Sequence, residues 1–422
     1  MNLGLNLVSR CHVNENGDGD RFVGIKAVSD KVMVYFPLGY NLPESEAELR
    51  DDILQLISVL AEFMEKKDRV LHMPRFAAPQ SVDFPVNAYI SVIRLYLKTG
   101  SYYKENEPVK KCSDKGRIDW AASLKKNTPF FQEDGSPFFQ DFVVRGSTPN
   151  ENNLITSIHK YCVFEAFQKL GWLFTPDLPP DPHIIKNHDQ FIYALNKKLS
   201  STHNEQDKLL FNSMKAMLEF LDDPVSDRQF YFGTDRFEYV WEKLIDEVFG
   251  EKDKENYFPH TYWCLKHDET PKSNSALEPD SIMLYNGKIY VLDAKYYRYG
   301  VSANPSHLPQ SSSINKQITY AEYIYNLDRI KKDYGEDVPV YNAFLMPYNR
   351  YKNKFESKEH FLNIGEARSE WKCNKHAYER VQGILIDIRF LMRNYYGAKE
   401  NKKKKMAETI DKALTDNANL AR

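Results

Sequence analysis

The sequence predicts an α/β protein: a mixed sheet with helices on both faces in its C-terminal half, preceded by an α+β N-terminal region and a helical middle. Three observations lead there. Residues 230–395 read in the order helix, strand, hairpin, helix, strand. Residues 154–222 carry helical periodicity, and residues 1–110 alternate short strand-like runs with helices. The expected divisions are 1–150, 151–228, 229–397 and a basic C-terminal tail, 398–422.

The hairpin is the most informative stretch. Asn286-Gly287 suits a two-residue type I′ turn, whose central positions both need positive φ. Its flanks, SIMLY and KIYVL, are rich in β-branched and aromatic residues. With Tyr285 facing Lys288, Asp280 falls opposite Asp293 on one face, with Cβ atoms roughly 4.5–5.5 Å apart. Lys295, two residues on, leans to the same side. Two facing carboxylates repel, and a divalent cation with oxygen ligands relieves them; Mg²⁺ suits that spacing and takes up phosphate. A lysine beside it can hold or deprotonate the attacking water. The bland alternative is a hairpin edge with two solvated aspartates and Lys295 paired with Glu278.

The totals narrow the classes. A chain of 422 residues with 42% hydrophobic and 27% charged residues has room for two or three domains with real cores. The net charge of −2 excludes a whole-protein basic field, so nucleic acid must be met by a local patch. Cys11, Cys112, Cys162, Cys264 and Cys373 are scattered without a CxxC pair, which fits a reducing cytoplasm. Cys264, His267 and His260 lack a fourth zinc ligand. No apolar run approaches the roughly 18–20 residues of a membrane span. The expectation is a soluble cytoplasmic protein with no membrane partner.

Along the chain, 22–28 and 31–36 read as a strand pair through Ser29-Asp30. Residues 44–66 form an amphipathic helix on Leu49, Ile53, Leu56, Ile57, Leu60 and Phe63, and 86–100 a second helix closed by Gly100. Residues 102–153 read as a connector with a basic part, Lys110, Lys111, Lys115, Arg117, Lys125 and Lys126, suited either to a DNA backbone or to solvent. Helices follow from Leu154 and over 208–221, where Leu209, Leu210, Met214, Met217, Leu218 and Leu221 make the apolar side. A boundary falls near 222–228, then a helix over 236–249 with Glu238 and Glu242 on one face. Residues 258–265 look like a strand feeding the hairpin, 301–313 a loop, and 314–331 a helix. Strands are expected over 338–346 and 381–388, and the cluster Lys402–Lys405 in the tail reads as solvated.

Pro279-Asp280, a hydrophobic gap and Asp293-Ala294-Lys295 resemble the PD-(D/E)XK nuclease signature. The fuller PDSIMLY and VLDAKYY resemble the McrC-like subset and especially the LlaJI-type restriction endonucleases. Lys115-Gly116-Arg117-Ile118-Asp119-Trp120 is similar to a glycine-plus-tryptophan signature of the same family. The resemblance implies a restriction-endonuclease-like core. It makes Asp280 and Asp293, with the backbone carbonyl of Ala294, ligands of Mg²⁺ (Mn²⁺ as a substitute), and Lys295 the catalytic lysine. Glu238, in a Phe237-Glu238 step, would complete the metal shell, with Glu242 in reserve. Gln317, with Tyr320 and Tyr323, resembles the Q…Y helix that such nucleases set beside the metal, where it would bind a phosphate oxygen or orient the loop.

The implied activity is Mg²⁺-dependent hydrolysis of double-stranded DNA in a restriction system. No GxxxxGK[ST] phosphate loop is present, so the chain is no NTP-driven motor. The resemblance implies a separate McrB-like AAA+ GTPase, docked by the N-terminal half unless that half serves DNA recognition. The competing readings are a stand-alone type II site-specific endonuclease and a non-catalytic DNA-binding or interaction protein on the same fold.

Overall fold

In the structure, a computed structural model, Asn286 and Gly287 take φ of 48° and 71°, as a type I′ turn demands. That turn sets the register of the central hairpin. The structure describes all residues except 1–6, 29–30, 65–81, 114, 151, 223–229, 268–269, 275, 374 and 421–422. It divides into two compact units, Asn6–Asp83 with Arg228–Arg422, and Phe84–Asp227.

The larger unit holds two five-stranded sheets. Its main elements are β1 (Cys11–Val13), β2 (Val23–Val28), β3 (Lys31–Phe36), α1 (Glu46–Phe63), β4 (Val82–Asp83), β5 (Phe230–Thr234) and α2 (Phe237–Phe249). They continue with β6 (Ser281–Tyr285), β7 (Lys288–Ala294), α3 (Ser311–Asn326), β8 (Val340–Tyr348), β9 (Phe361–Arg368), β10 (Arg380–Asp387), α4 (Ile388–Asn394) and α5 (Lys399–Leu420). The central sheet runs β6-β7-β8-β10-β9. β7, β8 and β10 are parallel and the two edges antiparallel, hence a mixed sheet. Ile282, Ile289 and Val291 share a core with Tyr320, Ala321 and Ile324, so α3 covers that face. α2 packs against β6 and β7 with Val240, Trp241, Leu244 and Val248 buried.

The second sheet runs β1-β3-β2-β5-β4 and joins N-terminal strands to the mid-chain β5. β5 pairs antiparallel with β2, Gly233 opposite Gly24. A Cβ on Gly233 would lie 2.2 Å from the Val23 carbonyl oxygen, so the approach requires glycine there. α1 is locked to α4 by Asp52, fully buried, which accepts from Arg389 Nε at 2.7 Å and Arg393 Nε at 2.6 Å. The N-terminal segment therefore folds as part of the same unit as the hairpin. This differs from the linear division at residue 150, because strand pairing across two hundred residues leaves no local trace.

The unit Phe84–Asp227 packs four helices, Val86–Thr99, Leu154–Leu170, His188–Ser201 and Glu205–Leu221. Gly100 closes the first in the left-handed conformation, φ 62°. Leu210, Met214, Met217 and Leu218 enter the core, whereas Leu209 is exposed. The expected connector is an antiparallel sheet of Glu105–Ser113, Phe142–Asn150 and Arg117–Ile118. Buried Asp119 caps the helix Trp120–Lys126 through the Ala122 amide and pairs with Lys110 and Arg145, so part of the basic run is internal support. Trp120, Phe130, Phe131 and Phe138 remain exposed.

Other expectations are corrected. Residues 258–265 do not feed the central sheet; among the described residues Tyr262–Trp263 pairs only with Lys272–Ser273. The 314–331 helix begins at Ser311 and breaks at Leu327, with a second helix over Asp328–Tyr334. β9 carries weak alternation and escaped the sequence reading; its bulge between Asn363 and Glu366 interrupts the period. Lys402–Lys405 is solvated only in its second half, at Lys404 and Lys405. Lys402 and Lys403 are buried, Lys402 donating to the Gly397 carbonyl at 2.8 Å and Lys403 meeting Glu251 at 2.6 Å. The turn at Ser29-Asp30 and the end of the 44–66 helix lie outside the described residues.

Two stability outcomes follow. Asp52→Ala leaves two guanidinium groups facing an emptied, buried position and costs about 3–5 kcal/mol, read as a lowered urea midpoint. Burial alone would raise the Glu366 carboxyl, but Arg380, Gln382 and Arg368 outweigh it and hold it at about 2. Since the folded value lies below the unfolded one, its contribution is complete above the ordinary glutamate range and is lost as pH falls toward 2. Glu366→Gln should lower the melting temperature at pH 7, and the gap to wild type should close on acidification.

Candidate active site

The hairpin ladder is paired from Tyr285–Lys288 to Ser281–Leu292. Asp280 lies one residue beyond it and is held by its side chain: Oδ2 accepts the Ala294 amide at 2.8 Å. Alternation sets Asp280 with Ile282, and Asp293 with Ile289 and Val291, on the α3 face. Asp293 is buried and forms an ion pair with Lys295. The Lys295 amide donates to the Leu345 carbonyl at 2.8 Å, which also receives the Trp241 indole N–H at 3.2 Å. The end of β7 is thereby tied to β8 and α2.

The electrostatics identify one shared site. Burial pushes the Asp280 carboxyl up to about 8; Asp293 and Glu242 add to the rise, and the Ala294 amide and Lys295 oppose it. Glu242 is likewise raised by burial and by Asp293 and Glu238, with Lys295 acting against it. Burial would lower Lys295, but Asp293 and Asp280 prevail and hold it above the ordinary lysine value. Three carboxyl groups thus share a poorly solvated corner with one ammonium.

A cleft of about 740 Å³ opens beside them, its wall including Glu242, Asp246, Lys254, Glu278, Pro279 and Asp280. Glu242 shares this wall with Asp280. Glu238 lies one turn earlier, where its charge reaches Tyr296 as well as Glu242. Gln317 is buried on α3 and donates from Nε2 to the Val291 carbonyl at 2.8 Å, two residues before Asp293. Its role in this structure is to hold β7. Lys254 escaped the sequence reading; its Nζ donates to the Asp280 carbonyl at 2.7 Å and to Asp246 Oδ2 at 2.6 Å. The visible signal was the four-residue recurrence of Glu238, Glu242 and Asp246 on α2, which marks the helix face lining the site.

Among the described residues, no three His, Cys, Asp or Glu side chains form a ready metal cluster. The groups that influence one another there are all oxygen donors: Asp280, Asp293 and Glu242, with the Ala294 backbone adjoining. Such hard donors match Mg²⁺, which keeps several waters and needs only one or two protein carboxylates. The crowding at Asp280 is the repulsion a divalent cation removes.

A family model described as LlaJI restriction endonuclease matches residues 22–367. The chain belongs to the LlaJI restriction endonuclease family. The matched span of this LlaJI family member takes in β2 to β8, β9 up to Ala367 and every candidate site residue. No curated protein matches the chain. A solved half-complex from a tetradecameric assembly of Thermococcus gammatolerans McrB AAA+ hexamers with bound McrC is similar at 14% identity. The match has a TM-score of 0.38 and covers 92% of this chain and 83% of that one. No helix among the described residues is long and apolar enough to cross a membrane.

Asp280→Asn keeps an acceptor for the Ala294 amide while removing a carboxyl whose ionisation the site disfavours. In metal-free buffer at neutral pH the variant should melt at or above the wild-type temperature. Added Mg²⁺ should raise the melting point of the wild type and leave the variant unmoved, as measured by differential scanning fluorimetry.

Proposed function

We propose that this LlaJI-family chain is a Mg²⁺-dependent endonuclease that hydrolyses phosphodiester bonds of double-stranded DNA in a restriction system, on a restriction-endonuclease-like core. The observation that carries the reading is the juxtaposition of Asp280 and Asp293 on one face, Lys295 paired with Asp293, and a cleft beside them. Asp280, Asp293, Glu242 and the Ala294 carbonyl would hold the ion, with Mn²⁺ as a substitute. Glu242 is preferred to Glu238 because it shares the cleft wall with Asp280. When bound, Mg²⁺ supplies an acidified water and positive charge against the phosphate.

The chain's own groups do the rest. Lys295, an ammonium in this arrangement, donates a hydrogen bond toward the attacking water and adds positive charge where the transition state gathers negative charge. Gln317 and Trp241 hold β7 and β8 in register, so that Asp293 and Lys295 keep their separation. Lys254 fixes the backbone at Asp280 from the α2 side.

Two carboxylates and a lysine can cut any phosphodiester, and the chain lacks a phosphate loop of its own. A McrB-like AAA+ GTPase is the partner proposed to supply selection and energy, following the motif resemblance. A stand-alone type II enzyme would need its own reading module; the unit Phe84–Asp227, with exposed Trp120, Phe130, Phe131 and Phe138, is the part available for it. Plasmid cleavage in Mg²⁺, with and without the GTPase, separates the two readings. Asp293→Ala and Lys295→Ala should each lower cleavage by at least about 100-fold with unchanged circular dichroism. Wild-type rates in either variant would refute the assignment.

A further inference from the structure

The acidic site has a consequence for its substrate. A phosphate approaching Asp280 and Asp293 also meets Glu242, Glu278 and Asp246, while Lys295 is occupied by Asp293 and Lys254 by Asp246 and the Asp280 carbonyl. Beyond the metal ion of the proposed function, a cation not already neutralised would serve the phosphate at the rim. Lys316 on α3 is exposed and, among the described residues, has no carboxylate at ion-pair distance.

Its direction is set by neighbours that cannot move. Its Nζ lies 5.4 Å from the centroid of the Tyr320 ring, one helical turn on. Tyr320 is 1% exposed and its hydroxyl donates to the Glu278 carbonyl at 3.3 Å, two residues before Asp280. Gln317, next in sequence, is pinned to the Val291 carbonyl. The turn of α3 carrying Lys316 is thus anchored to β7 and to the segment that leads into β6. The ammonium stands within the field of Asp293 and Asp280 without touching either. A flexible four-carbon stem held in this way loses less freedom on meeting a ligand.

We propose that Lys316 is a further catalytic residue of this site, its ammonium contacting a non-bridging oxygen of the DNA phosphate seated at Asp280 and Asp293. It rests on the nuclease reading above. Lys295 then serves the water from within the sheet, and Lys316 serves the phosphate from the α3 side. The contact is to the backbone, so it carries no base preference.

The test uses the full-length chain with Lys316→Ala and Lys316→Arg. Binding to a fluorescent duplex in Ca²⁺ is followed by anisotropy across a salt series. Cleavage is measured in Mg²⁺ with whatever GTPase component the wild type requires. Losing one phosphate contact should make the slope of log affinity against log salt shallower by about 0.9 in Lys316→Ala, with Lys316→Arg retaining the wild-type slope. Cleavage by Lys316→Ala should fall about 10–100-fold and be largely restored by arginine. A wild-type slope in Lys316→Ala overturns the phosphate contact whatever the cleavage rate, and leaves the nuclease reading standing if the wild type still cuts. A wild type that neither binds nor cuts duplex removes both.

Discussion

The hydrogen bond from the Ala294 amide to the Asp280 carboxylate is the interaction on which the site depends. The hairpin ladder ends one residue short of Asp280, so backbone pairing alone would let that segment splay. A side-chain acceptor replaces the missing backbone carbonyl and closes the open end of the hairpin. The same bond commits a carboxylate to a poorly solvated position beside Asp293 and Glu242, where its charge is disfavoured. One atom of Asp280 thus maintains the fold while the rest of the group is held in an environment that favours a cation.

Such an arrangement needs support from outside the hairpin, and it comes from both chain ends. The Leu38 amide donates to the hydroxyl of buried Tyr296 at 2.6 Å, and Asn16 Nδ2 donates to the Tyr296 carbonyl at 3.3 Å, adjacent to Lys295. From the other side, Asp411 on α5 meets Lys288 at 2.7 Å and accepts from the Tyr290 hydroxyl at 3.1 Å. Loops beside the N-terminal strands and the C-terminal helix therefore hold the two ends of β7. This is the physical reason that Asn6–Asp83 belongs to the unit carrying the site, although it reads in sequence as part of a separate region.

How much of this was legible follows from the range of each interaction. Local signals were readable: the Asn286-Gly287 turn, the register it sets, the amphipathic face of α2 and the glycine stop at Gly100. Asp280, Asp293 and Lys295 were legible because a two-residue turn converts sequence separation into a facing pair. Glu242 could not be ranked against Glu238 from spacing, since a turn of helix separates them and only the packing of α2 decides which one reaches the cleft. Lys254 was invisible because its role is a contact to a backbone carbonyl 26 residues away. The lysines at 402 and 403 misled for the opposite reason: a run of like charges suggests solvent, but each buried ammonium is satisfied by a carbonyl or a carboxylate that no local pattern announces.

The distribution of charge links these elements. Lys295 neutralises Asp293 closely enough that, with no other cation present, the pair is largely self-contained, while Asp280 and Glu242 are left with burial and mutual repulsion. Under the proposed function, Asp280, Glu242 and Asp293 would hold the divalent ion, which would supply the positive charge their crowding lacks, and the Lys295 ammonium would serve the substrate. The strain that costs stability in the free protein is then the same free energy that favours the assembled site. A core held from three sides, by α2, by the N-terminal loops and by α5, tolerates that strain; a lone hairpin would relieve it by opening.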